Sequence, residues 1–276
     1  MEGKRVLLTG GNSGIGLITA RELASMGAEV VLACRDSRKT EEALEVIGAT
    51  ATIPPRNLPV ELASLDSVRS LATNFLDHYD RLDVLINNAG VFPSRQQLTE
   101  EGFEMQMGVN HLSHFLLTHL LLDCLKASAP ARIISVSSTL HKKSEMDVET
   151  FKGFTKYNAS VAYNQSKLGN VMFALELAKR LEGTGVTSNV LHPGAVKTDI
   201  IRDLPWIVRV IIGMIFISPE KGAETSIMLA SEPSLETETG KYYDQCELAT
   251  YSRLADDDVL RAEFWQASAS AVGLPG

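Results

Sequence analysis

Cysteine is scarce in this chain. Cys34, Cys124 and Cys246 are the three in 276 residues, far apart and odd in number. Neither a disulfide framework nor a cysteine-based zinc spacing can be drawn from them, so a reducing compartment is expected. An excess of positive charge is also missing. The net charge of −8 argues against nucleic acid or an anionic membrane surface as the main partner. No apolar run reaches the roughly 18 residues that a spanning helix needs. Met1-Glu2-Gly3-Lys4-Arg5 leads straight into an apolar strand, with no signal or anchor pattern ahead of it. The expected location is therefore cytoplasmic and soluble. The histidines give no ligand set: His111, His114 and His119 share one helical segment with no carboxylate at metal-site spacing among them. Structural or capping roles are expected for them, and no metal.

What is present is alternation. Val6-Leu7-Leu8-Thr9 is a short apolar run that ends in Gly10-Gly11-Asn12-Ser13-Gly14-Ile15-Gly16. An amphipathic helix follows to about Gly27, and Glu29 to Cys34 reads as a buried parallel strand. Strand, glycine turn, helix and strand within about 30 residues form the unit that binds a dinucleotide. Glycines there let the backbone turn tightly and approach a pyrophosphate, whose charge meets the free N–H groups of the helix N-terminus. Further along, helices are expected over Ser37 to Gly48 and Ser64 to Tyr79, with Ser64 or Asp66 as the cap of the latter. A long helix is expected from about Glu100 to Lys126, one from Tyr163 to about Glu182, and others near Pro219 to Ala230 and Asp256 to Ser270. Strands are expected over Asn57 to Leu62, Leu82 to Asn87, Arg132 to Ser137, Val186 to Leu191 and around Lys241 to Tyr243. With no linker and no repeat, residues 1–276 read as a single α/β domain. Its architecture would be a doubly wound (Rossmann) parallel sheet of about seven strands, with helices on both faces.

Tyr163-Asn164-Gln165-Ser166-Lys167 opens an apolar helical segment. Residues i and i+4 lie one above the other on a helix, so Tyr163 and Lys167 point together. An ammonium beside the phenol would bring its pKa down from about 10, a setting for general acid–base chemistry. The spacing alone equally fits a surface helix.

Taken in order, Thr9-Gly10-(three residues)-Gly14-Ile15-Gly16, Asn87-Asn88-Ala89-Gly90, Asn110, Ser138, Tyr163-(three residues)-Lys167 and Pro193-Gly194 resemble the short-chain dehydrogenase/reductases over essentially the whole chain. Ala33-Cys34-Arg35-Asp36, Arg81-Leu82-Asp83, Asn110 through Thr118, the long stretch from Ser138 to Tyr163 and Val186 through Gly194 are similar to the retinol dehydrogenase branch. Two departures stand out: members of that branch often carry an N-terminal membrane anchor, and Glu61 stands where the family usually has an aspartate near the adenine. The resemblance implies Tyr163 as proton donor to a carbonyl or acceptor from an alcohol. It implies Lys167 as holder of the nicotinamide ribose, Ser138 as hydrogen-bond donor to the substrate oxygen, and Asn110 as anchor of a water leading the proton out. Strand alternation separates Ser137 from Ser138. The implied cofactor contacts are Gly10, Asn12, Ser13, Gly14, Ile15, Gly16, Arg35, Glu61, Leu62, Asn88, Ala89, Gly90, Tyr163, Lys167, Pro193, Gly194, Val196 and Thr198. His192 is expected to be structural.

Cofactor choice turns on the end of the second strand. A carboxylate there favours NAD; this chain has Cys34 in that place and Arg35 next, and an arginine can pair with a 2′-phosphate. Asp36 competes from one position later, and NADP(H) is favoured over NAD(H). A substrate lid is expected at about 198–220. Within it Leu204 to Ile217 (LPWIVRVIIGMIFI) is nearly all apolar. That stretch reads as a lid over a greasy pocket, as a segment dipping into a membrane interface, or as core or subunit contact. The apolar helix with Phe115, Leu116, Leu117, Leu120, Leu121 and Leu122 reads as core and dimer contact, and the family's helix contacts point to a homodimer. The function so implied is hydride transfer between NADP(H) and a lipophilic aldehyde, ketone or alcohol, a retinoid first. Steroid or xenobiotic carbonyl reduction, or a non-catalytic NADP-binding regulatory role, are the alternatives.

Overall fold

The computed structural model describes residues 1–194 and 218–275. Its centre is one eight-stranded sheet in the order β3-β2-β1-β4-β5-β6-β7-β8. The strands are β1 (Arg5–Thr9), β2 (Glu29–Cys34), β3 (Arg56–Pro59), β4 (Val84–Asn87), β5 (Ala131–Val136), β6 (Val186–His192), β7 (Tyr242–Asp244) and β8 (Glu247–Leu248). All neighbours are parallel except β7 and β8, which form a short antiparallel hairpin. The order reverses between β1 and β4, and at that switch point an open α/β sheet leaves a crevice for a ligand beyond the strand carboxyl ends. The strand beyond the expected seven is β8, a two-residue edge.

Alternation along the strands divides the core. Leu7, Val31, Leu85, Ile133 and Val190 face one layer, made by α3 (Leu65–His78), α5 (Ser113–Leu120), α7 (Ala159–Arg180) and α9 (Asp258–Ala271). Val6, Leu8, Val30, Leu32, Ile86 and Ile134 face the other, made by α1 (Gly14–Ser25), α2 (Arg38–Gly48) and α8 (Pro219–Ser231). Strands buried on both faces read as unbroken apolar runs, as these do. Phe115, Leu116, Leu117 and Leu121 are wholly buried within the chain, and the Phe115 ring packs against Phe173 and Trp265. Leu120 and Leu122 pack half-buried against the same core.

Several boundaries differ from expectation. The helix placed at Tyr163 begins at Ala159, where the Asn158 side chain caps it. The helix placed at Glu100 begins at Met105. Gly102 adopts φ +76, Leu98 and Glu104 form an isolated bridge, and the Glu104 carboxylate accepts from the Met107 N–H at 2.9 Å as the cap. The helix then runs as α4 (Met105–Met107), a π turn over Gly108–Leu112, α5, and, after a break at Leu121, α6 (Leu122–Ala127). Strand β3 ends at Pro59, short of Leu62, as suits an edge strand that tolerates proline. Residues 218–220 belong to the capped start of α8, where Ser218 Oγ accepts from Lys221 N. The remainder of the expected lid, with Thr198 and Leu204 to Ile217, and the expected cofactor contact Val196 lie outside the described residues. Among the described residues no helix is long and apolar enough to cross a membrane.

Candidate active site

The glycine turn sits at the switch point. Gly10 and Gly14 take φ +69 and +52, a region only glycine enters freely. A Cβ on Gly16 would lie 2.4 Å from the Gly10 carbonyl oxygen and 2.6 Å from Asn88 Nδ2. That amide nitrogen donates to Thr9 O at 2.8 Å, so the β1 and β4 ends are stitched under the turn. Helix α1 has Ser13 as N-cap, with no side-chain capping bond and no acidic residue in its first turn. By contrast, α2, α3, α7, α8 and α9 are all capped by side chains. A helix N-terminus left with unanswered N–H groups beside a closely approaching backbone fits a pyrophosphate. Asn12 Nδ2 donates to Thr40 Oγ1 at 2.9 Å, fixing the turn against α2. Ile15 is buried in contact with Ala223 of α8.

At the end of β2 the Arg35 side chain is 76% exposed and stands 3.6 Å from Glu61. Asp36 is drawn away: its carboxylate accepts from Asn57 Nδ2 at 3.0 Å. The same asparagine brackets Cys34, accepting from its N–H and donating to its carbonyl. Glu61 also accepts from Ala63 N. Leu62 is buried in the core, and its carbonyl takes the Ser113 hydroxyl.

Beyond β4 and β5 the expected catalytic set converges. Asn110 lies in the π turn. Its Oδ1 accepts from Val91 N at 2.7 Å, and its Nδ2 donates to Val91 O at 3.2 Å and Ser166 Oγ at 3.0 Å. A Cβ on Gly90 would be 3.4 Å from both Asn110 Oδ1 and Lys167 Nζ, so glycine lets three elements meet there. Lys167 Nζ donates to Val136 O at 3.0 Å, shared with Asn170 Nδ2. Ser138 lies close enough to the Tyr163 hydroxyl to act on its pKa. Ser137 turns the other way, its hydroxyl donating to Lys167 O at 2.7 Å. The Phe92 ring meets the Tyr163 ring edge-on, with centroids 5.2 Å apart. Phe92 is itself positioned from both sides, by the Asn110 clasp on Val91 and by Tyr157 Oη donating to Pro93 O.

The electrostatics differ from the i, i+4 expectation. Burial pushes the Tyr163 phenol up to about 12, with the Ser138 hydrogen bond pulling the other way. Lys167 is held 5.6 Å from the Tyr163 ring centroid and is pushed down to about 8 by burial. Desolvation is the larger cause, and what acts against it is Ser138 and not the Lys167 ammonium. Tyr163 consequently keeps its proton at neutral pH, the form that can donate to a carbonyl.

His192 ends β6 opposite Asp244 of β7; burial lowers its pKa while Asp244 raises it. Pro193 and Gly194 follow, Gly194 at φ +85. Three residues here carried no expected role at the site: Phe92, His114 and Asn170. The 3-residue spacing of Lys167 and Asn170 on one helix face was the available signal for the last of these. Phe92 and His114 are placed by tertiary contacts that no local pattern announces.

A glycine turn at the switch point, with a serine, tyrosine, lysine and asparagine gathered beside it, is the arrangement of a nicotinamide-dependent oxidoreductase. The chain belongs to the short-chain dehydrogenase/reductase family, whose short chain dehydrogenase model matches residues 4–205. It is an oxidoreductase acting on CH–OH groups, of the retinol dehydrogenase branch. It is 44% identical to human retinol dehydrogenase 14, over 99% of this chain and 88% of that one. A crystal structure of a putative uncharacterized protein from Mycobacterium paratuberculosis superposes with a TM-score of 0.81 at 32% identity, covering 99% of this chain and 94% of that one. The Pseudomonas aeruginosa RhlG/NADP active-site complex superposes with a TM-score of 0.72 at 27% identity, covering 88% and 95%.

Proposed function

We propose that this protein transfers a hydride between NADP(H) and a lipophilic carbonyl or alcohol, with a retinoid as the first substrate. The observation that carries the reading is the convergence of Ser138, Tyr163, Lys167 and Asn110 at the strand ends beside the glycine turn. The nicotinamide, when bound, supplies or accepts the hydride. Gly10, Asn12, Ser13, Gly14, Ile15 and Gly16 would hold the pyrophosphate, and Asn88, Ala89 and Gly90 form the floor beneath. Lys167 would hold the nicotinamide ribose, and Pro193, Gly194, Val196 and Thr198 would face the nicotinamide. Glu61 and Leu62 would lie by the adenine. Ser138 and Tyr163 would together bind the substrate oxygen, Tyr163 donating its proton in reduction. Asn110, by fixing the turn beside Lys167, would hold the proton's route to solvent.

NADP(H) over NAD(H) is supported by Arg35, exposed at the end of β2 where the acid that would bind a ribose diol is replaced by Cys34. Asp36 is engaged by Asn57. An arginine fork suits a 2′-phosphate. The lipophilic substrate is supported by the Phe92 edge against Tyr163, by the apolar composition of Leu204 to Ile217 in the proposed lid, and by relatives called retinol dehydrogenases 14 and 13. The test is nucleotide consumption by the purified protein with retinal, comparing NADPH and NADH. Turnover that prefers NADPH supports the reading. NADPH binding with retinal untouched removes the retinoid and sends the search to steroid and aliphatic carbonyls.

A further inference from the structure

His114 stands one turn beyond Asn110, buried at the start of α5. Its Nε2 is 2.9 Å from Thr9 Oγ1 and its Nδ1 is 3.1 Å from the Asn110 carbonyl oxygen. The partners decide where the ring proton sits. The Thr9 hydroxyl already accepts from the backbone N–H groups of Asn88 and Ala89, each at 3.0 Å. Those two bonds occupy both lone pairs of the oxygen, which is left with a proton to give. The Ile86 carbonyl is 3.4 Å away, the longer choice. A proton on Nε2 would make a third donor facing that oxygen, and Nδ1 would then set a lone pair against the Asn110 carbonyl. The neutral ring protonated at Nδ1 satisfies every contact: Thr9 donates to Nε2, and Nδ1–H donates to Asn110 O.

These two bonds join the two halves of the site. Thr9 is the last residue of β1, immediately before the glycine turn, and its hydroxyl fixes the backbone of Asn88 and Ala89. Asn110 lies in the π turn, the irregular stretch of its helix, and clasps Val91 beside Gly90 and Lys167. A π turn has wider hydrogen-bond spacing than an α-helix and commonly marks a functional position. Here the imidazole bridges that turn to the neighbouring strand end.

We propose that His114 is a positioning residue with two separable actions: through Nε2 it holds the floor on which the dinucleotide lies, and through Nδ1 it holds the Asn110 turn that serves proton movement. The inference rests on the reading of the glycine turn as cofactor site and of Asn110 as part of the proton route.

The two actions part in two substitutions. In His114→Gln the amide oxygen reaches the Nε2 position and accepts from Thr9, while the donor to Asn110 is gone. In His114→Asn the amide nitrogen takes the Nδ1 position and donates to Asn110, while the acceptor for Thr9 is gone. The NADPH dissociation constant and kcat at saturating NADPH are measured with the melting temperature for each. His114→Gln should keep the dissociation constant within about twofold and lower kcat about tenfold, the scale of one lost buried hydrogen bond. His114→Asn should raise the dissociation constant about tenfold and lower kcat less. Parallel losses in both parameters that follow the melting temperature, or no change in either, overturn the inference. Thr9→Val tests it even where the histidine variants fail to fold: NADPH binding should weaken about tenfold with kcat at saturation within about threefold of wild type. A Thr9→Val protein that binds NADPH as wild type does overturns the inference. A wild-type protein that binds neither NADPH nor NADH overturns the cofactor reading itself and takes this inference with it.

Discussion

Acidification from pH 7 to pH 5 should cost this protein much of its stability, through two histidines. His111 is enclosed by Phe115, Phe173 and Phe264, with Nε2 2.9 Å from Ser268 Oγ. Burial pushes its pKa down to about 3, and that of His114 down to about 4, from an ordinary 6.5. A folded pKa below the unfolded value means that the unfolded chain takes up protons the folded chain refuses. Stability therefore falls as pH drops below 6.5 and goes on falling until the folded values are reached. At pH 5, about 1.5 units below the unfolded value, the loss is about 2 kcal/mol per ring at about 1.36 kcal/mol per unit. Both rings together give about 4 kcal/mol, against a total stability of about 5–15 kcal/mol for a typical domain. His119, His141 and His192 are also pushed down by burial and act with the same sign. Glu104 is pushed up by burial and acts against them. Asp83, held below the usual carboxylate range by Arg81, Arg5 and Lys4 against the opposing effect of its own burial, loses its contribution only as pH falls below about 4, outside this window. Urea unfolding followed by circular dichroism between pH 7 and 5 measures the slope. His111→Phe should reduce the fall between pH 7 and 5 by about 2 kcal/mol, whatever the variant's stability at pH 7. A stability that is level across the window, or a slope unchanged in His111→Phe, would refute the reasoning.

Lys167 titrates at about 8 because burial disfavours its charge, so kcat/KM for NADPH, which reports groups of the free enzyme, should fall as pH rises through that value. Tyr163, pushed up to about 12, is too high to cause that step, and a profile level to pH 10 would contradict the burial argument. For Arg35→Ser, the loss of a charge-assisted pair should raise the KM for NADPH by about 10- to 100-fold and leave that for NADH within about threefold. Equal effects on the two nucleotides would remove Arg35 from cofactor choice.

The doubly wound sheet was legible because buried parallel strands write themselves as apolar runs such as Glu29 to Cys34, and α2 and α3 begin at readable caps, Ser37 and Ser64. The helix through Asn110 was less so. Its start depends on Gly102 turning at positive φ and on Glu104 capping Met107, and its π turn is held by Asn110 bonds to Val91 and Ser166 that are distant in sequence. At the site, Gly10, Gly14, Gly16, Tyr163 and Lys167 carried their own local spacing, whereas Ser138 came from the resemblance alone. The spacing of Tyr163 and Lys167 nonetheless misled about charge, since it cannot register the desolvation around the phenol or the burial of Lys167. His114 looked like one of three unremarkable histidines, because its meaning lies in the two lone pairs of Thr9.

The central claim is that Tyr163 passes the proton in a nicotinamide-dependent reduction. Single-turnover oxidation of bound NADPH by retinal, in wild type and Tyr163→Phe at matched nucleotide saturation, tests it most directly. The account predicts a loss of about 10²- to 10⁴-fold in rate, the usual scale for removing a general acid, with NADPH affinity within about threefold. A Tyr163→Phe protein that reduces retinal at the wild-type rate would contradict it.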